Sequence, residues 1–284
     1  MKGSEDKRIR KIAQPLSLST SYLLSFRVLF IALALLLFPP LTEAGYKSFA
    51  VVSDTHVGSR NSVYPALIKT LAEQEVSLII HTGDAINKPG KLNEWERFLE
   101  ITGPDNVVHL APGNHDIRGL RSLFACLDFF PAYHSFSDGD TLFLILNTHL
   151  PGQEGTIEGQ QLKWLRSELE RPFRYKFVFL HHPLFPVVPL RGFDLHRSSR
   201  NDLHRLFVRS NVSLVVAGHD HLYRRRTRDG VTYVIAGASG GRFLFLSYNF
   251  GLFRYMIANR TDHGYSFLVK DMKGKTRDVF WVTQ

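Results

Sequence analysis

Residues 76–84, VSLIIHTGD, carry the pattern that determines the predicted fold. A short apolar run that favours a β-strand is followed within a few residues by a glycine and an aspartate. Four further apolar runs along the chain are also followed by side chains that bind cations. The five clusters, in chain order, are Asp54-Thr55-His56, Gly83-Asp84, Gly113-Asn114-His115-Asp116, His181-His182-Pro183 and Gly218-His219-Asp220-His221.

These clusters supply the ligands that a site for two divalent cations needs. They offer aspartates, an asparagine and several histidines, and one of the carboxylates can bridge both ions. Intervals of 30 residues separate Asp54 from Asp84 and Asp84 from Asn114, enough for a crossover helix and the next strand. Ligands bind beyond the carboxyl ends of strands in open α/β sheets, because the loops converge there. We therefore expect the clusters to form one site.

The rest of the pattern predicts a mixed α/β fold with helices covering the sheet faces, because strands and helices alternate up to Ala217 and the tail is strand-like. With 284 residues, 44% of them hydrophobic, the chain can bury a substantial core. No linker or repeat divides it, so a single domain over residues 45–284 is expected. Strands are predicted at residues 48–53, 76–80, 107–110, 142–147, 176–180, 213–217 and 231–236, and helices at 63–74, 92–101, 117–126, 158–170 and 199–210.

Residues 1–44 are predicted to be a leader. A basic segment, KRIRK, precedes an uninterrupted apolar run at residues 28–38, and a proline pair and small residues follow. This order is typical of a secretory signal cleaved after Ala44, which predicts a secreted or periplasmic protein. The alternative is an uncleaved anchor at residues 22–38, although Arg27 interrupts that segment. An anchor would associate the protein with the membrane and leave its folded domain outside the cytoplasm.

The charge balance limits the partners. The chain has 35 Lys and Arg against 26 Asp and Glu, a net charge of +9. Without residues 1–44 the balance is 29 against 23, or +6, which suits a small anionic substrate and does not indicate specific nucleic-acid binding. Residues 223–228, YRRRTR, are either a solvated strand edge or a rim that faces phosphate or membrane. Cys126, the only cysteine, is predicted to be a buried free thiol. Nothing in the sequence indicates an oligomeric state.

The ligand types also limit the metal. Mixed oxygen and nitrogen ligands without thiolate suit two divalent transition-metal ions, Mn, Fe or Zn, better than Ca or Mg. The carboxylate of Asp84 can bridge ions about 3.5–4 Å apart, the spacing used in two-metal phosphoryl chemistry. Gly83 permits the tight turn that brings the backbone close to them.

The ordered clusters, from about Ala50 to His221, resemble those of the calcineurin-like metallophosphoesterase superfamily. The resemblance implies two mixed β-sheets packed as a sandwich and flanked by α-helices, a four-layer fold. It also implies a phosphatase or phosphodiesterase that holds two metal ions. One ion would take Asp54, His56, Asp84 and His221, and the other Asp84, Asn114, His181 and His219.

The resemblance further implies a mechanism. A metal-bridging hydroxide attacks the phosphorus of a phosphate mono- or diester in line. His115 then stabilises or protonates the leaving oxygen, and Asp116 orients its ring. The His-x-Pro pattern of the family favours His181 as the ligand, with His182 as the alternative.

This chain differs from several subfamilies of the superfamily at motif positions, which narrows the set of subfamilies that it resembles. Purple acid phosphatases carry a tyrosine where this chain has Asn87, so a ferric–tyrosinate site is not expected. Protein Ser/Thr phosphatases use Asn-His-Glu, and lipid A-type pyrophosphatases place an arginine at the position of His115. Once these subfamilies are set aside, the motif pattern resembles that of the group of bacterial cyclic-nucleotide phosphodiesterases. A non-catalytic metal-binding scaffold is the alternative, but such members usually lose ligands that this chain keeps.

The sequence leaves the roles of several other features undecided. His81 and His149 end strands near the same face and could line the pocket, or could serve packing or capping. The proline-rich loop after Leu184 identifies no substrate. The apolar segments 243–246 and 250–253 are predicted to be core strands rather than a face that contacts a membrane.

Overall fold

The computed structural model describes residues 45–60, 62–240 and 253–283. The predicted leader at residues 1–44, the apolar segment 243–246 and most of segment 250–253 lie outside the described residues. Within the described ranges, no helix combines the length and the apolar character needed to cross a membrane.

The first sheet has six strands and is mixed. Its two halves differ: β1, β2 and β3 run parallel to one another, whereas β10, β11 and β12 form an antiparallel meander that joins β1. Across the sheet the strands are Thr276–Thr283 (β12), Gly264–Asp271 (β11), Arg254–Thr261 (β10), Ser48–Val52 (β1), Leu78–His81 (β2) and Val107–Leu110 (β3).

The second sheet is also mixed and has six strands. Four parallel strands, β5, β6, β7 and β9, lie between two antiparallel edge strands, β4 and β8. In order across the sheet they are His134–Asp138 (β4), Thr141–Ile145 (β5), Tyr175–Phe179 (β6), Leu214–Ala217 (β7), Val231–Ala236 (β9) and Tyr223–Arg228 (β8).

The two sheets pack face to face. Phe49 of β1 lies edge-on to Phe143 of β5, with 5.3 Å between ring centroids, and also contacts Phe179 of β6. Val51 belongs to the same central cluster, whereas Ala50 and Val52 face the opposite way into a second cluster. A strand covered on both faces has apolar residues throughout, which explains its continuous apolar sequence.

Helices cover the outer face of each sheet, which completes the four predicted layers. The first three helices pack on the first sheet, and the last two pack on the second. The helices are Tyr64–Ala72 (α1), Leu92–Thr102 (α2), Leu120–Leu127 (α3), Gly159–Glu170 (α4) and Arg197–Arg209 (α5), with a 3₁₀ helix at Gly192–Leu195.

The predicted elements agree with the structure except at a few places. Strand β4 was not predicted, because the sequence HSFSD contains a single apolar residue. The helix predicted at residues 117–126 begins later, at Leu120, because Gly119 has a φ of +121° that a helix cannot continue. Strand β8 carries the arginine-rich segment at a sheet edge, where Arg224 and Arg225 are exposed, as one of the two alternatives predicted.

Candidate metal centre

The five polar clusters meet at one end of the sandwich. Each follows a parallel strand of one of the two sheets, namely β1, β2, β3, β6 or β7. The structure forms two groups of side chains with ligand atoms within 4.8 Å of one another. The first group is Asp54, His56, Asp84 and His221, and the second is His181, His182 and His219.

The first group places imidazole nitrogens against carboxylates. His221 Nε2 lies 3.3 Å from Asp54 Oδ1, and His56 Nε2 lies 3.8 Å from Asp84 Oδ2. His56 Nε2 is buried without a hydrogen-bond partner among the described residues. Burial alone would raise the pKa of Asp54, but the interactions with His221, His181 and His56 together outweigh it and hold that pKa below its usual value. Two buried carboxylates with imidazole neighbours fit a cation.

The second group is built around His181. Its Nδ1–H donates to the Thr82 carbonyl at 2.9 Å, so Nε2 carries a lone pair. That nitrogen faces Asn114 Oδ1 at 3.1 Å and Asp84 Oδ1 at 3.4 Å. Three acceptor atoms that face one another without a proton between them fit a bound cation.

The carboxylate of Asp84 faces both groups. One of its oxygens is near His56 and the other is near His181. The backbone N–H of His115 also donates to Oδ1 at 2.7 Å, which fixes the carboxylate in place. The sequence predicted such a shared carboxylate at this position, and the geometry is compatible with it.

His182 has contacts of a different kind. Its backbone N–H donates to Thr148 Oγ1 at 3.1 Å, and the same hydroxyl lies 2.9 Å from its Nδ1, to which it can donate. The ring stacks on His149 with 5.3 Å between centroids. His181 therefore contacts Asp84 and Asn114, whereas His182 lies behind it, beside the ring of His219.

The backbone at the predicted ligands is strained. Nine described residues other than glycine have a positive φ, and five of them are predicted metal ligands. Such conformations cost free energy and persist only where the surroundings enforce them, commonly at functional sites. These five are Asp54, His56, Asp84, His219 and His221, with φ between 44° and 71°.

Neighbouring loops enforce this geometry. The N–H of Asp54 donates to the Gly83 carbonyl at 2.9 Å, and the N–H of His56 donates to the Asp84 carbonyl at 3.0 Å. Gly83 has a φ of +93°, and a Cβ there would lie 2.6 Å from His181 Nδ1. Only glycine allows this approach of the two loops.

His81 is buried behind the ligand loops, where it supports the site and does not line a pocket. It is fully buried, accepts the N–H of Gly83 at Nδ1 (3.1 Å), and donates from Nε2 to Thr55 Oγ1 (2.9 Å). The Thr55 hydroxyl donates in turn to the Ala85 carbonyl at 3.1 Å. Burial lowers the pKa of His81 to about 3, which keeps the ring neutral for these bonds. It therefore links two ligand loops.

His115 lies over the first group. Its ring meets the His56 ring edge-on, with 4.5 Å between centroids. Nδ1–H donates to the Asn87 carbonyl at 2.7 Å, so the ring orientation comes from Asn87. Proton exchange is thereby left to Nε2.

The hydrogen bonds of Asp116 differ from those that its predicted role of orienting His115 would need. Its two oxygens accept the backbone N–H groups of Ile86 (3.1 Å) and Gly113 (2.9 Å), and none of its hydrogen bonds reaches His115. The turn closed by the Asp116 N–H on the Gly113 carbonyl directs this side chain inward, away from the His115 ring. Burial and the charge of Asp84 raise the pKa of Asp116 to about 7. Asp116 thus ties the Gly113 loop to the Asp84 loop.

Arg191 is a contact of the site that the sequence did not reveal. Its Nε–H donates to His219 Nε2 at 3.1 Å, and its Nη2 donates to the His219 carbonyl at 3.0 Å. Because Nε2 accepts, the proton of neutral His219 lies on Nδ1, which faces His181 Nε2 at 3.2 Å. Burial lowers the pKa of His219 to about 2, consistent with a neutral ring. Asp220 fixes the Arg191 loop by accepting the N–H of Val188 at 3.2 Å.

The described fold and site can be compared with known proteins. The model of the calcineurin-like phosphoesterase family matches residues 47–223, more than half of the chain. This chain belongs to that family. It is accordingly a metal-dependent phosphoester hydrolase with a set of Asp and His side chains that could bind metal.

Two curated relatives illustrate the range of activities. A probable cyclic nucleotide phosphodiesterase of Rhodococcus erythropolis is 28% identical over 68% of this chain and 71% of its own length. Human serine/threonine-protein phosphatase CPPED1 is 30% identical over 59% of this chain and 66% of its own length. The zebrafish CPPED1 is matched over 59% of its length. The relatives with these two activities have nearly equal sequence identity to this chain. The comparison therefore does not decide whether the substrate is a phosphate monoester or a diester.

Solved structures show the same fold. A purple acid phosphatase from yellow lupin matches with a TM-score of 0.64 at 15% identity, over 85% of this chain and 54% of that one. A dimetal phosphatase from Danio rerio matches with a TM-score of 0.57 at 13% identity, over 84% of this chain and 99% of that one.

Proposed function

We propose that this chain is an exported phosphoesterase that uses two divalent metal ions to hydrolyse a phosphate mono- or diester. The observation that carries the proposal is the carboxylate of Asp84, which faces His56 with one oxygen and His181 with the other. A carboxylate between two groups of ligand atoms is the arrangement that two-metal phosphoryl chemistry requires.

The donor sets support one ligand assignment. The first ion would be held by Asp54, His56, Asp84 and His221, and the second by Asp84, Asn114, His181 and His219. Oxygen and nitrogen donors without thiolate favour Mn, Fe or Zn. When bound, the ions would polarise the phosphoryl oxygens and lower the pKa of the attacking water.

His115 is proposed to assist the leaving group. The Asn87 carbonyl accepts Nδ1–H whether the ring is neutral or protonated, so the ring keeps its orientation while Nε2 gains or loses a proton. The ring lies against His56, at the first group. It is therefore near enough to the reacting phosphoester to donate a proton from Nε2 to the departing oxygen.

Export is proposed from the leader alone. The basic segment, the apolar run and the small residues before Ala44 support cleavage after that residue. N-terminal sequencing of exported material tests this, and a mature chain that begins before Val28 would favour the membrane anchor instead.

The activity is tested by metal analysis of the purified chain together with a screen of mono-, di- and pyrophosphate esters after loading with Mn, Fe or Zn. We expect close to two ions per chain and hydrolysis of at least one ester class. Two bound ions without hydrolysis of any class would support the scaffold alternative and overturn the proposed enzyme.

A further inference from the structure

A groove of about 580 Å³ is lined by residues that follow two of the ligand loops along the chain. Two chain segments that leave the centre form its walls, one after Asp84 and one after His115. No acidic residue lines it, and several of its side chains are basic. The lining residues are Pro89, Gly90, Lys91, Arg118, Gly119, Leu120, Arg121 and Ser122.

The groove begins on the side of the centre where His115 lies. The carbonyl that holds the His115 ring belongs to Asn87, two residues before the first wall residue, Pro89. The second wall begins at Arg118, three residues after His115. The backbone N–H of Arg118 donates to Ser122 Oγ at 2.6 Å, which fixes the shape of this wall. Both walls of the groove therefore begin within three residues, along the chain, of a residue that positions or carries the His115 ring.

The groove is positively charged. Lys91, Arg118 and Arg121 are exposed, and none of them forms an ion pair with any residue in the described ranges. Glu94, on the adjoining turn of α2, accepts the backbone N–H groups of Asn87 and Lys88 at Oε2, at 3.0 and 2.8 Å, and no ion pair joins it to these three cations in the described ranges. Three neighbouring cations without acidic partners attract an anion, and the planar arginine fork suits phosphate oxygens.

We propose that this groove binds a second phosphate group, carried by the leaving group of the substrate. This inference rests on the proposed function and narrows its substrate class. Water adds to the reacting phosphorus, the P–O bond to the leaving group breaks, and that oxygen takes a proton from His115. The products are the released phosphate and an alcohol that still carries its own phosphate in the groove.

The second phosphate has two conceivable sources, a soluble bisphosphate or a phospholipid headgroup. From the groove onward, α3 exposes Leu120, Phe124 and Leu127, with exposed fractions of 63%, 62% and 41%. Residues at this spacing share one face of a helix, which is the apolar surface that a lipid-borne substrate would use. Substitutions on this face therefore separate the two sources.

The kinetic test compares 1,3-propanediol monophosphate with 1,3-propanediol bisphosphate, which differ only in the second phosphate. The parent should prefer the bisphosphate by roughly tenfold or more in kcat/KM, as expected for charge-assisted bonds to phosphate. The double variant Arg118→Gln/Arg121→Gln should lose this preference through KM while its turnover of the monophosphate is unchanged. A matched control, Lys163→Gln/Arg166→Gln, removes two exposed cations of α4 and should keep the preference.

A binding test removes the dependence on catalysis. Inorganic tripolyphosphate is titrated calorimetrically into the EDTA-treated chain, and the groove variant should bind it roughly tenfold more weakly than the α4 control. Equal binding by both variants, or no preference between the two propanediol esters in an active enzyme, would overturn the inference. Loss of all hydrolysis with tripolyphosphate binding intact would refute the proposed function and leave the anion site standing.

Vesicles then identify the source. Phosphatidylcholine vesicles report binding that needs no anionic headgroup, and added phosphatidic acid reports binding of the phosphate headgroup. Stronger binding with phosphatidic acid, weakened by Phe124→Ser but with tripolyphosphate binding unchanged, would support a lipid-borne phosphate. Equal binding to both vesicles, with tripolyphosphate still bound, would support a soluble bisphosphate.

Discussion

The two candidate metal groups differ in how their atoms are satisfied by the protein. In the first group, His56 Nε2 is buried without a partner among the described residues and faces a carboxylate oxygen of Asp84 at 3.8 Å. In the second, a chain of hydrogen bonds runs from Arg191 to His219, from His219 to His181, and from His181 to the Thr82 carbonyl. His181 and His219 thus have hydrogen-bond partners at both ring nitrogens, whereas His56 Nε2 has none among the described residues.

This difference has a consequence for metal affinity. A cation that binds His219 through Nδ1 requires the proton of that ring on Nε2, where Arg191 now donates. Binding at the second group therefore costs the Arg191 contact, whereas His56 Nε2 of the first group has no hydrogen bond to give up among the described residues. We expect this cost to weaken binding of the second ion, which stepwise calorimetric titration can measure.

The largest effect is predicted for Asp84→Ala. Because this carboxylate faces both groups, its removal should abolish binding of both ions and reduce hydrolysis by more than the about 10–100-fold that outer-shell substitutions cost. His181→Ala is the matched control and should remove only the second ion. Metal analysis that finds one ion retained in Asp84→Ala would contradict a bridging role.

A large effect on chemistry is predicted for His115→Asn. His115 touches the first group, although its sequence neighbour Asn114 contacts the second. The substitution should keep both ions and lower the turnover of alkyl phosphoesters by roughly 10²–10⁴-fold, the usual range for general acid catalysis. A nitrophenyl ester should lose much less, because nitrophenolate departs without a proton.

The comparison of the two esters is what makes this prediction specific. An equal loss for both, with two ions bound, would mean that His115 stabilises the bound substrate rather than the leaving oxygen. A loss of metal would mean that the substitution disturbs Asp84, whose Oδ1 accepts the backbone N–H of residue 115.

The sequence predicted the parts of the site that depend on local pattern. Asp54, Asp84 and His219 each follow an apolar run, and the ends of parallel strands converge whatever the loops do. A local sequence pattern does not predict which side chains of different loops contact one another. His219 and Arg191 are 28 residues apart. No local sequence feature of either residue predicts this hydrogen bond, because the bond forms only where the proline-rich loop folds back towards His219.

The sequence also did not predict the separate roles of two adjacent residues in one turn. His115 and Asp116 are adjacent, and a motif cannot tell which way each side chain leaves the turn. In the structure the Asp116 carboxylate turns inward to two backbone N–H groups, and the carbonyl of Asn87 takes over the contact with His115. Similarly, the polar strand His134–Asp138 forms because it pairs with β5 at a sheet edge, not because of its own sequence.

A moderate effect of opposite sign is predicted for Arg191→Gln. Removing the guanidinium frees Nε2 of His219 to carry the proton and removes a positive charge beside the second ion. The affinity of the second ion should rise roughly tenfold, equivalent to about 1.5 kcal/mol for a hydrogen bond from a charged donor. The first ion should be unaffected. Calorimetry that finds an unchanged or weaker second ion would show that Arg191 does not oppose metal binding.

The smallest effect on turnover is predicted for Asp116→Asn. Asparagine offers one side-chain acceptor in place of two, so one of the buried N–H groups of Ile86 and Gly113 loses its partner. An unsatisfied buried donor costs about 1–3 kcal/mol, and thermal or denaturant unfolding should show a loss of stability of that size.

Because none of the hydrogen bonds of Asp116 reaches the His115 ring, the loss of turnover should be a few-fold and the same for alkyl and nitrophenyl esters. It should act through the loops of Asn114 and Asp84, and thus weaken both ions slightly, whichever group they occupy. A loss confined to alkyl esters would instead restore Asp116 to the role of orienting His115, and the contact with Asn87 would then be secondary.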